Sequence, residues 1–178
     1  VRHPESKISE KIVQMLPENV FFINAGDGNY AHPTQGLLDV FTMSEVVDLT
    51  KLNLTILGDA KHSRVIPSLL QTLDMLGCKN INYISPESLA LPQTNTFSAI
   101  SNDMLSKSDI LYILRIQRER FSKEEGIDDK FFSENYQVNK EFIETTKFQG
   151  KIMHPGPINI GVEITRDISD GEDSLILK

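Results

Sequence analysis

Short apolar runs alternate with stretches of helical periodicity along the chain, and that alternation admits few architectures. Strand, helix, strand units of this kind close into a largely parallel sheet with helices on its faces. The expected fold is therefore α/β, a three-layer αβα arrangement. The strand candidates are residues 20–24, 52–58, 81–85, 110–114 and 151–153, each short and rich in Ile, Leu, Val or Tyr, as strands buried on both faces tend to be. Helical patterns lie between them. Residues 33–43 set Leu37, Leu38 and Phe41 on one side, with Pro33 suited to the first turn. Residues 63–77 repeat the pattern with Val65, Leu69, Leu73 and Leu76 before Gly77 as a C-cap. Residues 134–146 form a third candidate, and 118–130 read as a solvated loop or an irregular helix.

Composition narrows the function classes. The 178 residues carry 18 Lys and Arg against 25 Asp and Glu, a net charge of −7. With no basic run, the chain lacks the cationic face that a phosphate-backbone binder needs, so nucleic acid is not an expected partner. The single cysteine, Cys78, cannot close an internal disulfide or build a multi-thiolate zinc site, and a reducing cytoplasm is expected. No apolar stretch approaches the roughly 20 residues of a membrane-spanning helix. Both ends read as cut: Val1 opens on the end of a strand, and the chain stops inside the apolar run that begins at Ser174.

In a parallel sheet the loops after the strands gather at one edge, where ligands bind. Here those loops carry His32, Gln35, Lys61, His62, Arg64, Arg115, Gln117 and His154, a concentration of cations that in an acidic protein points to a small anionic ligand. If Pro33 opens a helix, His32 stands at its cap and Gln35 one turn in, placed to polarise a carbonyl beside the positive helix end. The alternative, a plain cap and a surface amide, is left open by the spacing. Arg64 offers a donor fork that matches a carboxylate, against the plainer alternative of a surface ion pair. Arg64 with Arg115 and Gln117 would suit a ligand with two carboxylates. Neither a dinucleotide nor a P-loop glycine pattern is present. Arg118, Glu119 and Arg120 read as a solvated ion-pair run. Asp27 reads as the cap of its own glycine turn, and the turn from His154 to Pro157 leaves carbonyls free to accept.

At these residues the sequence resembles the aspartate carbamoyltransferases. The resemblance lies in Arg2-His-Pro4, Asn24-Ala-Gly-Asp-Gly28 followed by His32-Pro-Thr-Gln-Gly-Leu-Leu-Asp39, Leu57-Gly-Asp-Ala-Lys-His-Ser-Arg64, Leu114-Arg-Ile-Gln-Arg-Glu-Arg120 and Met153-His-Pro-Gly-Pro157 running on to Ile164. Five ordered motifs span essentially the whole chain. The resemblance implies transfer of the carbamoyl group of carbamoyl phosphate to the amine of L-aspartate, for pyrimidine synthesis. It implies that Arg2, His32 and Gln35 hold carbamoyl phosphate, with Arg2 and His32 near its carbonyl oxygen. It also implies that Arg64, Arg115 and Gln117 bind aspartate, and that the carbonyls of Gly156 and Pro157 contact the carbamoyl group and the amine. No metal or organic cofactor is implied. The implied assembly is a homotrimer with shared active sites, with room for a regulatory chain or a dihydroorotase partner.

On this resemblance residues 1–47 are expected to end a carbamoyl-phosphate domain and 48–178 to form an aspartate-binding domain. Departures from the family pattern are Ala60 for a larger aliphatic residue, Pro67 within a helix and Ile160 where many relatives carry Arg. The family's Ser-Thr-Arg-Thr-Arg phosphate loop is expected before Val1, so the chain alone is expected to be inactive. An ornithine carbamoyltransferase would show a His-Cys-Leu-Pro turn where this chain has His154-Pro-Gly-Pro157. The alternative of another class is a non-catalytic relative or an isolated aspartate-side fragment that acts as a binding module.

Overall fold

Five parallel strands run in the order β3-β2-β1-β4-β5, where β1 is Asn53–Gly58, β2 Asn80–Ile84, β3 Thr96–Phe97, β4 Ile110–Leu114 and β5 Lys151–Met153. A computed structural model describes residues 1–92, 94, 96–121 and 126–177. The helices are α1 (Ile8–Met15), α2 (Pro33–Ser44), α3 (Val65–Met75), α4 (Asn102–Leu105), α5 (Asp129–Tyr136), α6 (Lys140–Thr146) and α7 (Arg166–Ser169). The α/β expectation therefore holds, with an all-parallel sheet. The chain divides into two compact units. One comprises Val1–Thr50 and Ser63–Cys78, the other Lys51–His62 and Lys79–Lys178.

The second unit contains the sheet. Every residue of β4 is buried, as expected for a central strand covered on both faces. Because side chains alternate, Leu111 and Ile113 point to one face, where they join Leu57, Ile84 and Ile152 in a core with Phe132, Val138, Phe142 and Ile164. Gly58 ends β1 at φ 118°, and a Cβ there would stand 2.2 Å from the Leu114 carbonyl oxygen. Only glycine lets the C-terminal ends of β1 and β4 come this close.

The first unit packs α2 against α3. A Cβ on Gly36 would stand 2.9 Å from the backbone of Ser68 and Leu69, so a bare glycine sets the helix approach. The buried face of α2 is Gly36, Asp39, Val40 and Met43. Leu37, Leu38 and Phe41, which the periodicity set on one side of the helix, are 57%, 56% and 63% exposed. The inward stripe follows the glycine contact, a fraction of a turn from the most apolar stripe. Pro67 is the third residue of α3, where its missing N–H would have had no intrahelical acceptor.

Three other expectations are corrected. Residues 20–24 form no strand: among the described residues their one backbone bond to another segment is Val1 N to Ile23 O at 2.7 Å, with Ala25 N to Val1 O at 2.8 Å just beyond, and Phe21 is 98% exposed. An apolar run without a ladder partner on either side remains irregular. The expected helix at 134–146 is two helices, because the Asn139 side chain accepts from Phe142 N at 2.8 Å and caps α6. Asp27 caps α1 rather than its own turn, accepting from Ile8 N at 3.1 Å and Ser9 N at 3.4 Å. The 118–130 stretch, expected as a loop or an irregular helix, contains a short 3-10 turn at Arg118–Arg120 and the start of α5; residues 122–125 lie outside the described residues. Cys78 is buried. No described helix is long and apolar enough to cross a membrane.

Candidate active site

In the first unit, the packing of α2 on α3 brings the two helix N-termini together. His32 is the N-cap of α2 and Arg64 the N-cap of α3. The His32 N–H donates to Ser68 Oγ at 3.0 Å, which fixes the start of α2 on α3. Arg64 Nη1 donates to the Gly28 carbonyl at 3.4 Å. A Cβ on Gly26 would lie 3.2 Å from Arg2 Cγ and 3.4 Å from Arg64 Nη1, so both arginine side chains flank this glycine, which sits at φ 137°. His3 N and Gly28 N hold the two segments in register through Gly26 O and His3 O, both at 2.9 Å.

Arg2, His32 and Arg64 therefore form one cationic cluster at two helix N-termini, an arrangement suited to an anion. Burial, and after it the charges of Arg64 and Arg2, push the His32 pKa below its ordinary 6.5. The imidazole is then neutral at physiological pH. Thr34 Oγ1 lies 3.4 Å from its Nδ1, and a neutral ring offers one N–H donor and one acceptor nitrogen to an anion's oxygen or hydroxyl. The Gln35 amide is tied to its own helix, donating from Nε2 to Asp39 Oδ1 at 3.0 Å.

The second unit gathers its polar groups at the C-terminal edge of the sheet, after β1, β4 and β5. Asp59 is fully buried. Its Oδ1 accepts from His62 N at 3.1 Å and pairs with His62 Nδ1 at 2.9 Å, while Oδ2 accepts from Gln117 N at 3.0 Å. One carboxylate thereby locks the loop after β1 to the loop after β4, and Gln117 is buried beside it. Arg115 pairs with Glu119 through its two terminal guanidinium nitrogens, and that hydrogen bonding is the main reason the Glu119 carboxyl is held below its usual range. Arg120 does not belong to a solvated run: it donates to the His62 carbonyl at 2.6 Å. Arg118 does make the expected surface pair, with Asp129. Lys61 donates to Ser88 O at 3.1 Å.

In the turn after β5 only the histidine departs from the expectation. His154 does not project toward a ligand; its side chain is buried with Glu163, Nε2 to Oε1 at 3.3 Å, and its Nδ1 accepts from Gly156 N at 2.9 Å. Gly156 and Pro157 are exposed. Sequence inspection passed over Asp59 and Glu163 as acceptors and Arg120 as a brace. The one available signal was an acid immediately after a buried strand, because a carboxylate there must find donors.

The match to known proteins agrees with this geometry. Residues 50–178 match the model of the aspartate/ornithine carbamoyltransferase Asp/Orn binding domain. The chain belongs to the aspartate/ornithine carbamoyltransferase family. Over its whole length it is 41% identical to an aspartate carbamoyltransferase catalytic subunit of Xanthomonas campestris pv. campestris (strain B100) and 36% identical to one of Legionella pneumophila (strain Corby). It spans 58% and 61% of those carbamoyltransferase chains. Among solved structures it is similar to aspartate transcarbamoylase from Trypanosoma cruzi in complex with carbamoyl phosphate and aspartate. The TM-score there is 0.81 at 25% identity, over 98% of this chain and 60% of the other.

Proposed function

We propose that this chain is the aspartate-side portion of an aspartate carbamoyltransferase, which moves the carbamoyl group of carbamoyl phosphate to the amine of L-aspartate and releases phosphate. In this reading residues 1–47 serve the carbamoyl-phosphate side and 48–178 the aspartate side. The reading rests most directly on the Arg2, His32 and Arg64 cluster, in which a neutral imidazole lies near two guanidinium groups. That combination provides charge for an anion and an uncharged N–H for a carbonyl oxygen. Support also comes from the relatives' names and from the Trypanosoma cruzi enzyme holding carbamoyl phosphate and aspartate.

The chemistry requires positioning and oxyanion stabilisation rather than a covalent intermediate. The aspartate amine attacks the carbamoyl carbon and forms the new C–N bond. The carbonyl oxygen gains negative charge facing Arg2 and His32. The C–O bond to phosphate then breaks, the electron pair leaves with phosphate, and the amine's proton passes to the phosphate or to water. Gln35 orients the carbamoyl amide, Arg64, Arg115 and Gln117 take the aspartate carboxylates, and the carbonyls of Gly156 and Pro157 accept from N–H groups. The product enters pyrimidine synthesis. A cytoplasmic homotrimer with shared sites, alone or with a regulatory chain or dihydroorotase, fits the same family.

The test is carbamoyl transfer by the protein that carries this chain, with L-aspartate and L-ornithine offered separately. Carbamoyl-L-aspartate is the expected product, and Arg64→Ala should raise the aspartate concentration needed for half-saturation at least about tenfold. Unchanged aspartate saturation in Arg64→Ala overturns the site assignment. Binding of substrates without turnover identifies a binding module instead.

A further inference from the structure

Pro155 and Pro157 have no backbone N–H, and the N–H of Gly156 between them is already given to His154 Nδ1 at 2.9 Å. The three-residue turn thus presents carbonyl oxygens and no donor. An imidazole nitrogen accepts only when it carries no proton, so this bond requires the ring proton to be on Nε2. Nε2 faces Glu163 Oε1 at 3.3 Å, and that same oxygen accepts from Asn159 N at 2.6 Å. His154 and Glu163 side chains are both completely buried, so water does not compete for these bonds. Glu163 Oε2 is buried with no hydrogen-bond partner among the described residues, and Oε1 carries both donors.

We propose that His154, held by Glu163 as the neutral Nε2–H tautomer, is a positioning residue that makes the turn from Pro155 to Pro157 an acceptor-only surface for substrate N–H groups. The inference rests on the function proposed above and deepens it, since the N–H groups in question are those of a carbamoyl group and of an incoming amine. A ring with its proton on Nδ1 would oppose the Gly156 N–H, release that donor and turn the peptide. The turn would then offer a donor where the substrate also brings donors.

The ring state is read from long-range proton–nitrogen correlations of the 178-residue chain labelled with nitrogen-15 at histidine. The Nε2–H tautomer is expected for His154, and an Nδ1–H or doubly protonated ring overturns the proposal. This measurement needs no substitution, so a variant that fails to fold does not shield it. His154→Asn puts an amide near the Nδ1 position and keeps an acceptor for Gly156. His154→Gln reaches toward Glu163 but loses that acceptor. Gly156 amide exchange should quicken about tenfold in His154→Gln and less than about threefold in His154→Asn, in line with one lost hydrogen bond. In carbamoyl transfer, His154→Gln should lower kcat with little change in the aspartate KM, and His154→Asn should restore most of it. Equal losses in the two variants overturn the positioning role. Transfer accompanied by the wrong tautomer overturns this inference alone. The expected tautomer without any transfer overturns the functional reading, and the substrate half of this inference with it.

Discussion

The backbone N–H of His32 donates to Ser68 Oγ at 3.0 Å, so the residue that opens α2 is anchored to a side chain of α3. Ser68 is buried, and its own carbonyl accepts from Thr72 Oγ1 at 2.9 Å. The position of the imidazole is therefore a property of the α2–α3 packing, not of the loop before it.

Ser68→Ala leaves the His32 N–H without its acceptor. Chemical unfolding should show a loss of about 1 kcal/mol, the usual worth of such a bond. Phosphate affinity, measured by calorimetry, should fall in parallel as His32 loses its anchor. An unchanged unfolding midpoint would show that His32 is held by other means.

Gly58→Ala should be far more damaging. Its Cβ would meet the Leu114 carbonyl at 2.2 Å, from a backbone at φ 118°. The combined clash and strain should cost about 3 kcal/mol or more. Soluble expression followed by urea unfolding checks this, and a near-normal midpoint would rule out the close approach of β1 and β4.

Asp59→Ala removes the acceptor shared by His62 N, His62 Nδ1 and Gln117 N. Leaving donors unpaired in a buried site should cost roughly 2–4 kcal/mol. Because Gln117 moves with its backbone, aspartate saturation should weaken as well. A variant that loses stability yet retains its aspartate KM would separate Gln117 from the substrate.

His32 titrates below 6.5 because burial and the Arg64 and Arg2 charges disfavour its protonated form. The folded chain thus binds this proton less readily than the unfolded chain. The contribution to stability is complete above 6.5 and is lost as pH falls through the lower folded value. Proton NMR of the imidazole should show the depressed value, and adding inorganic phosphate should raise it by offsetting the two guanidinium charges. A ligand-free value at or above 6.5 would contradict the cluster.

Glu119 lies on the surface, with its side chain 54% exposed against Arg115. Glu119→Gln should change stability by less than about 1 kcal/mol, because exposed ion pairs contribute little. It should also tighten aspartate binding, since the substrate carboxylate no longer competes for Arg115. Weaker binding in this variant would mean that Glu119 orients the arginine instead.

By itself the sequence determined the α/β class and four of the five strand sites, because buried parallel strands carry their own dense apolar signal. It also singled out Arg2, His32, Gln35, Arg64, Arg115, Gln117, Gly156 and Pro157 through loop position and family resemblance. What it could not carry was partnership. The apolar run at 20–24 had strand composition but among the described residues bonds across to Val1 alone, and Leu37, Leu38 and Phe41 had apolar helical spacing but lie off the stripe that Gly36 turns toward α3. The tertiary structure alone decided that residues 63–78 join the first unit and that Arg64 stands by Arg2 and His32. It also decided that His154 faces Glu163 rather than a ligand. A side chain's role there depends on which donors and acceptors meet across tens of residues, and local periodicity holds no record of such meetings.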